Sequence, residues 1–173
     1  TLLIEAANHC LKKSPGLEQS FLLKNWADFD EDLWKEQVEI AYKKELSFDR
    51  LPTLIGCEKD YLIAKQAEDN IASCNLNKYI DIQSIDFSDL SIPSEKGIIV
   101  CNPPYGKRIG KNDNLHNLYS ELGTFLKKNA SGWDLWLLSG NEELTRSIKM
   151  KSCRKFAISN GGIDCRWLNY KIH

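Results

Sequence analysis

The segment Asn102-Pro103-Pro104-Tyr105 contains the residues of this chain that are best suited to chemistry on a planar amine. The amide oxygen of Asn102 and a rigid backbone carbonyl beside it can both accept hydrogen bonds from an exocyclic NH2 group. The ring of Tyr105 can stack on a flat base. An amine held in this way would be aimed at a methyl donor. The simpler interpretation is a proline-rich turn that only ends a strand.

The apolar run Gly97-Ile98-Ile99-Val100-Cys101 in front of this motif predicts a short, fully buried strand. Two prolines then end the strand, because proline has no N–H to donate to a sheet and fixes its own φ. Open α/β sheets bind their ligands at the carboxyl ends of the strands. We therefore expect the Asn102 amide to lie at the ligand-binding edge of the sheet.

Acidic residues follow the two strands predicted before this one. Glu58 ends the strand 53–57, where a carboxylate can accept hydrogen bonds from a ribose diol. Its alternative role is to complement the dipole of the helix that follows, although Asp60 could take that role instead. Asp86 and Phe87 follow the strand 80–85, where they could bind the amino group and the face of an adenine. The alternative there is an ordinary turn, since the segment 86–89 is rich in turn formers.

Strands and helices alternate along the chain, which predicts an α/β fold with a mainly parallel sheet. The hydrophobic periodicity and the capping residues predict helices at 2–11, 30–46, 61–74, 115–128 and 142–148. They predict strands at 53–57, 80–85, 97–101 and 133–138, and a closing antiparallel pair at 154–159 and 165–172 around Gly161-Gly162.

The composition is that of one globular domain, with 173 residues of which 42% are hydrophobic. No run of about 18 apolar residues predicts a membrane span, and no charged-then-apolar segment suggests a secretory leader. The six cysteines are scattered and form no C-x-x-C pair, so the sequence predicts no zinc site and no metal-binding residues. This usage is typical of a reduced, cytoplasmic protein.

The charge is balanced, with 23 basic and 24 acidic residues and a formal net charge of −1. An RNA enzyme usually needs a basic surface for phosphate contacts. Two local clusters offer one: Lys107-Arg108 with Lys111, directly after the motif, and a second cluster formed by Lys149, Lys151, Arg154 and Lys155. The alternative for each cluster is an ordinary solvated face.

Asn-Pro-Pro-Tyr resembles the catalytic motif of class I, S-adenosylmethionine-dependent methyltransferases that modify amino groups, including adenine-N6 and glutamine-N5 enzymes. Further blocks across nearly the whole chain resemble the bacterial enzymes that methylate N2 of a guanine in 23S ribosomal RNA. These blocks are residues 1–7, 14–17, Trp26, Phe29-Asp30, Leu33-Trp34, 132–135, 160–165 and Asn169-Tyr170. The flanking blocks favour the guanine-N2 family over the other two.

This resemblance implies a Rossmann-like methyltransferase sheet, mostly parallel with an antiparallel last strand, and S-adenosylmethionine as cofactor. It implies catalytic roles for Asn102, Pro103, Pro104 and Tyr105, and cofactor contacts from Thr1, Glu58, Asp86, Phe87 and Asn102. It implies ribosomal RNA contacts from Tyr105, Gly106, Lys107 and Arg108. Tyr105 would stack on a base taken out of its helix or loop, and Gly106 would let the RNA backbone approach closely.

Residues 1–173 are expected to form one methyltransferase catalytic domain that lacks its first strand and the glycine-rich cofactor loop. The reason is that the chain contains no G-x-G and opens on the helix that follows this loop in the family. The resemblance also implies a THUMP-type RNA-binding domain upstream. The alternatives are the same chemistry on adenine or on a protein glutamine, and a non-catalytic RNA-binding fragment.

Overall fold

The computed structural model describes residues 1–17, 20–93, 96–105 and 112–173, which form two compact units, Thr1–Asp86 and Phe87–His173. Helices and strands alternate as the sequence predicts, and the boundaries agree to within three residues. In chain order the elements are α1 Leu2–Cys10, α2 Glu31–Lys44, β1 Leu54–Cys57, α3 Tyr61–Ser73, β2 Ile80–Gln83, β3 Ile98–Cys101, α4 Asn112–Asn129, β4 Asp134–Ser139, α5 Glu142–Arg146, β5 Arg154–Asn160 and β6 Ile163–Lys171.

In the first unit, β1 and β2 form a parallel pair with Leu54 opposite Ile80 and Cys57 opposite Gln83. Helix α1 packs on β1 and helix α3 packs on β2. Their apolar faces enclose a small core, which explains why the amphipathic periodicity predicts these elements well. This core consists of Ala7, Leu11, Ile71, Leu76 and Ile80.

The second unit contains a four-stranded sheet in the order β3-β4-β6-β5. Strands β3 and β4 run parallel, and β6 is antiparallel to both of its neighbours. The larger core lies between this sheet and α4, whose Tyr119 and Leu126 are fully buried. The α/β class with an antiparallel last strand, expected from the sequence, is therefore confirmed.

Strand β3 is less buried than its sequence predicts. Ile98 is 65% exposed and Val100 is 43% exposed, whereas Ile99 and Cys101 pack against the core beneath α4. In the described residues β3 is an edge strand that pairs with β4 alone, and its side chains alternate between the two faces of the sheet. An uninterrupted apolar run does not reveal this alternation, so the expectation of full burial was wrong.

The closing hairpin extends beyond the end of β4. Ser139, the last residue of β4, lies opposite Arg166, and β5 and β6 continue their pairing as far as Asn160 opposite Ile163. Gly161 and Gly162 form the turn with φ of +58° and +79°, a conformation that glycine adopts without strain. The hairpin tip therefore projects past the carboxyl ends of β3 and β4.

None of the helices in the described ranges is both long and apolar enough to cross a lipid bilayer.

Candidate active site after the third strand

The Asn-Pro-Pro-Tyr motif lies directly after the carboxyl end of β3, as predicted. Asn102 is exposed, and Pro103, Pro104 and Tyr105 are partly buried. The parallel neighbour β4 ends at the same edge of the sheet. The polar side chain of Asn102 is thus presented to solvent from a short, proline-stiffened segment, which is the placement that an acceptor for an amine requires.

The thiol of Cys101, which directly precedes the motif, is unreactive. Burial raises the pKa of Cys101 to about 12. The thiolate is the nucleophilic form of cysteine, so Cys101 stays protonated and unreactive at neutral pH. A covalent role for this residue is therefore not supported, and its contribution is packing against the core.

Tyr105 is held by the closing hairpin through its hydroxyl group. The Asn160 amide nitrogen donates a hydrogen bond of 2.8 Å to the Tyr105 oxygen, and the Cys165 thiol lies 3.5 Å from the same oxygen. The contact with the Cys165 thiol raises the pKa of the phenol, burial adds to this effect, and the Asn160 amide acts in the opposite direction. Tyr105 is therefore a neutral, anchored ring and not a base.

Gly140 allows the Tyr105 ring to pack closely against the end of β4. A Cβ atom at Gly140 would lie 3.1 Å from both Cδ2 and Cε2 of Tyr105, and 3.2 Å from a methyl carbon of Ile163. These distances are tighter than ordinary van der Waals contact, so a larger residue would push the ring away. The Tyr105 position is thus fixed by Gly140 from one side and by Asn160 at its hydroxyl.

The sequence left open whether Glu58 or Asp60 complements the N-terminus of helix α3 in the first unit. The Asp60 carboxylate caps α3 by accepting from the backbone N–H groups of Leu62 and Ile63 at 2.9 and 3.2 Å. The Glu58 carboxylate accepts from the Asp60 N–H at 2.9 Å. Asp60 therefore provides the helix cap, and Glu58 lies at the strand end with its carboxylate braced across the turn.

Glu58 and Asp86 are brought together around the Cys57 thiol. Burial raises the pKa of Cys57, and the negative charges of Asp86 and then Glu58 raise it further. Two carboxylates that follow two neighbouring parallel strands thus act on one thiol. Because ribose and adenine offer hydroxyl and amino donors, the residues present fit an adenosyl cofactor at this edge.

The remaining predicted site residues have simpler environments. Thr1 is exposed and precedes α1, and its carbonyl accepts from the Glu5 N–H at 3.0 Å. Phe87 begins the second unit, and its ring packs edge-on against Phe125 at 5.7 Å between centroids. Residues Gly106, Lys107 and Arg108, together with Lys111, lie outside the described residues.

The structure adds Asn160, Cys165 and Gly140 to the residues predicted from sequence as part of the site. The first two lie 55 and 60 residues from Tyr105 along the chain, so no local pattern links them to the motif. The local signals are the Gly161-Gly162 turn, which predicts a hairpin, and the block 160–165, which resembles the family. Neither indicates what the hairpin tip contacts.

The model of the family described as UPF0020, RMKL-like, methyltransferase domain matches residues 1–169. The chain belongs to this family. A UPF0020 domain of this kind recurs in longer proteins. A relative from Synechocystis sp. is 35% identical over all of this chain and 45% of its own length. The ribosomal RNA large subunit methyltransferase K/L of Photobacterium profundum is 35% identical over 99% of this chain and 25% of its own length.

The chain therefore spans between about a quarter and a half of the length of these relatives. Solved structures share the fold. A possible methylase from Clostridium difficile 630 has a TM-score of 0.87 and 26% identity, over 99% of this chain and 45% of that one. The structure of SMU.472 complexed with SAH has a TM-score of 0.92 and 21% identity, over 99% and 45% of the two chains. The second likeness, at this identity, shows the fold alone.

Proposed function

We propose that this methyltransferase domain transfers the methyl group of S-adenosylmethionine to the exocyclic N2 amine of a guanine in large-subunit ribosomal RNA. The observation that supports this proposal most is the exposed Asn102 amide, which ends a strand beside two prolines and an anchored aromatic ring. Relatives that are 32% and 35% identical are named as ribosomal RNA large subunit methyltransferases, which supports RNA as the substrate.

In the proposed reaction, Asn102 orients the attacking nitrogen. The Asn102 side-chain oxygen and the Pro103 carbonyl accept hydrogen bonds from the NH2 group and so localise its lone pair, which is otherwise partly delocalised into the base. Since a sulfonium cofactor supplies an already activated methyl group, the domain contributes orientation and preorganised polar contacts. Transfer would form a bond from the amine nitrogen to the methyl carbon and break the carbon–sulfur bond of the sulfonium. The sulfur would keep the electron pair and leave as a neutral thioether, and the surplus proton of the amine would pass to solvent.

Tyr105 supports the base in this proposal. Its ring is restrained by Gly140 and by the hydrogen bond from Asn160, so stacking on a base would not require the ring to be ordered first. A neutral phenol is suited to stacking and does not compete for the proton of the amine. In base-modifying enzymes, the extruded base stacks on aromatic or apolar side chains in the same way.

Glu58 and Asp86 are the residues we propose for the cofactor. Their carboxylates would accept hydrogen bonds from the ribose hydroxyls and from the adenine amino group, respectively. The Phe87 ring, one edge of which packs on Phe125, would contact the adenine. Thr1 directly precedes α1, and the backbone at this helix N-terminus would offer polar contacts to the cofactor.

The acceptor can be identified directly. The full-length protein is incubated with methyl-labelled cofactor and with deproteinised large-subunit ribosomal RNA, duplex DNA or a glutamine-containing release-factor protein, and the products are digested to nucleosides or amino acids. The proposal predicts label in N2-methylguanosine from RNA. Label in N6-methyladenosine or in methylglutamine would replace the proposed acceptor, and no transfer to any substrate would favour a non-catalytic fragment.

A further inference from the structure

A cleft of about 970 Å³ in the second unit lies between α5 with the segment 149–152 and the β5–β6 hairpin. Apolar residues such as Leu168 and Tyr170, which belong to the core beneath α4, line part of it. The cleft therefore borders the core of this unit.

The polar lining of this cleft is strongly basic although the whole chain has a formal net charge of −1. The acidic lining residues are Glu142 and Asp164. The five basic lining residues come from α5, from the segment after it and from both strands of the hairpin: Arg146, Lys149, Lys151, Lys155 and Arg166.

One of the two acids is already neutralised. Arg146 forms a 3.0 Å ion pair with Glu142, and this hydrogen bond, with the charges of Arg146, Arg166 and Lys155, lowers the pKa of the Glu142 carboxyl. Within the described part of the chain, the remaining four basic side chains form no ion pair, and all four are exposed. Positive charge is thus left available in the cleft.

Strand geometry separates these residues from Arg154, which the sequence groups with them. Side chains along a strand alternate between its faces, so Lys155, Ala157 and Ser159 share one face of β5, and all three line the cleft, as does Ile158 between them. Arg154 shares the opposite face with Phe156, whose ring stacks on Trp136 at 6.1 Å. The sequence cluster is therefore divided in the structure, and Arg166 from the neighbouring strand takes the place of Arg154.

Two residues that line the cleft also contact Tyr105. Gly140 and Cys165 line the cleft, and both also contact Tyr105, through close approach to its ring and through the 3.5 Å contact with its hydroxyl. A chain of phosphates lying in the cleft would therefore bring the adjoining nucleotide to Tyr105. Four unpaired cations spread over a space of this size suit several phosphates of one strand better than a single anion.

We infer that this cleft, which we call the basic cleft, binds the phosphate backbone of the RNA strand that flanks the target nucleotide. The inference rests on the proposed function for the identity of the polynucleotide. Lys149, Lys151, Lys155 and Arg166 contact phosphates, and the apolar floor gives the strand a fixed surface. These contacts carry no sequence information and serve to position the target base beside Asn102 and Tyr105.

The test compares two double variants of the full-length protein that remove the same total charge. Lys149→Gln/Lys155→Gln alters the basic cleft, whereas Lys127→Gln/Lys128→Gln alters the exposed last turn of α4. Binding of a fluorescent large-subunit ribosomal RNA fragment is titrated at several salt concentrations, and a duplex DNA of equal length is titrated in parallel. Cofactor titration and thermal melting verify that each variant is folded.

The basic-cleft variant should lose roughly 1.4 to 1.8 from the slope of log K against log salt, since each phosphate contact contributes about 0.7 to 0.9. Its RNA affinity near physiological salt should fall about tenfold or more, while the α4 variant binds RNA like the wild type. Equal slopes for all three proteins, or an equal loss in the α4 variant, would overturn the basic cleft as the RNA site.

The remaining outcomes separate this inference from the proposed function. If the wild type binds RNA through the basic cleft but methylates a different acceptor, only the proposed acceptor is wrong. If the wild type binds no RNA, both proposals are overturned. A slope that depends on Lys149 and Lys155 for duplex DNA but not for RNA would overturn the assignment to RNA.

Discussion

The Asn160 side-chain amide donates a 2.8 Å hydrogen bond to the hydroxyl of Tyr105, although 55 residues separate the two along the chain. This bond links the tip of the closing hairpin to the last residue of the Asn-Pro-Pro-Tyr motif. Because the hairpin extends three residue pairs past Arg166, the partner of the last residue of β4, it can reach over the end of the sheet to Tyr105.

Asn160→Ala should lower the methylation rate about five- to tenfold without changing cofactor affinity, because Tyr105 loses the group that positions its ring. A net hydrogen bond of this kind contributes about 1 kcal/mol. Tyr105→Phe should have a similar effect, and the double variant should be no worse than either single variant. Additive losses in this double-mutant cycle would show that the two residues act independently. Asn129→Ala, which removes an asparagine amide that donates one hydrogen bond to the Phe125 carbonyl at the end of α4, is the matched control.

Gly140→Ala should slow methyl transfer with little loss of stability. The added Cβ would meet the anchored ring of Tyr105 at 3.1 Å, and the ring would have to move by a few tenths of an ångström. A rate loss of about tenfold is expected, since small displacements at a reacting centre are costly. Single-turnover kinetics and thermal melting of the same variant separate the two effects. A normal rate would show that the position of Tyr105 has no bearing on the reaction.

Glu58→Gln and Asp86→Asn should each weaken S-adenosylmethionine binding by about 1–3 kcal/mol, the scale of a hydrogen bond to a charged acceptor. Glutamine is preferred to alanine at position 58 because its side-chain oxygen can still accept from the Asp60 N–H. Calorimetric titration of cofactor measures the effect, with the exposed residue Asp81 changed to Asn as a control. Unchanged affinity in both variants would place the cofactor elsewhere.

Cys101 should be alkylated slowly at neutral pH in the native protein. Burial raises its pKa to about 12, so the thiolate fraction keeps rising from pH 9 towards pH 12, whereas in the unfolded chain it levels off above pH 9. Because the thiol pKa is higher in the native protein than in the unfolded chain, the protonated thiol stabilises the fold. This stabilisation is present below the unfolded pKa and is lost as the pH rises through the native pKa. Peptide mass spectrometry of iodoacetamide-treated protein, native and in urea, measures both profiles. Identical profiles would mean that the thiol is not buried.

The sequence predicts the elements and the motif position because both depend on local properties. Hydrophobic periodicity, the Asp60 cap and the two prolines after β3 act within a few residues, and each of these features is found in the structure. The exposure of Ile98 and Val100 could not be predicted in this way, because it depends on which strand pairs with β3.

The contacts of Tyr105 and the basic cleft also depend on tertiary structure. Asn160, Cys165 and Gly140 meet Tyr105 only because the β5–β6 hairpin overhangs the sheet. The basic cleft takes Arg166 and excludes Arg154, since pairing with the adjacent strand and alternation along β5 decide which charges share a face. A cluster of lysines in the sequence shows where charge is concentrated along the chain, but not which face of the sheet each side chain occupies.

The most direct test of the account is single-turnover methyl transfer to large-subunit ribosomal RNA by the full-length protein and its Asn102→Ala variant, with cofactor affinity measured on the same samples. If Asn102 orients the amine, the variant should form N2-methylguanosine at least about 10²-fold more slowly, the scale of one lost preorganised polar contact. Its affinity for S-adenosylmethionine and its melting temperature should stay close to those of the wild type. Near-normal turnover of the variant would contradict the account.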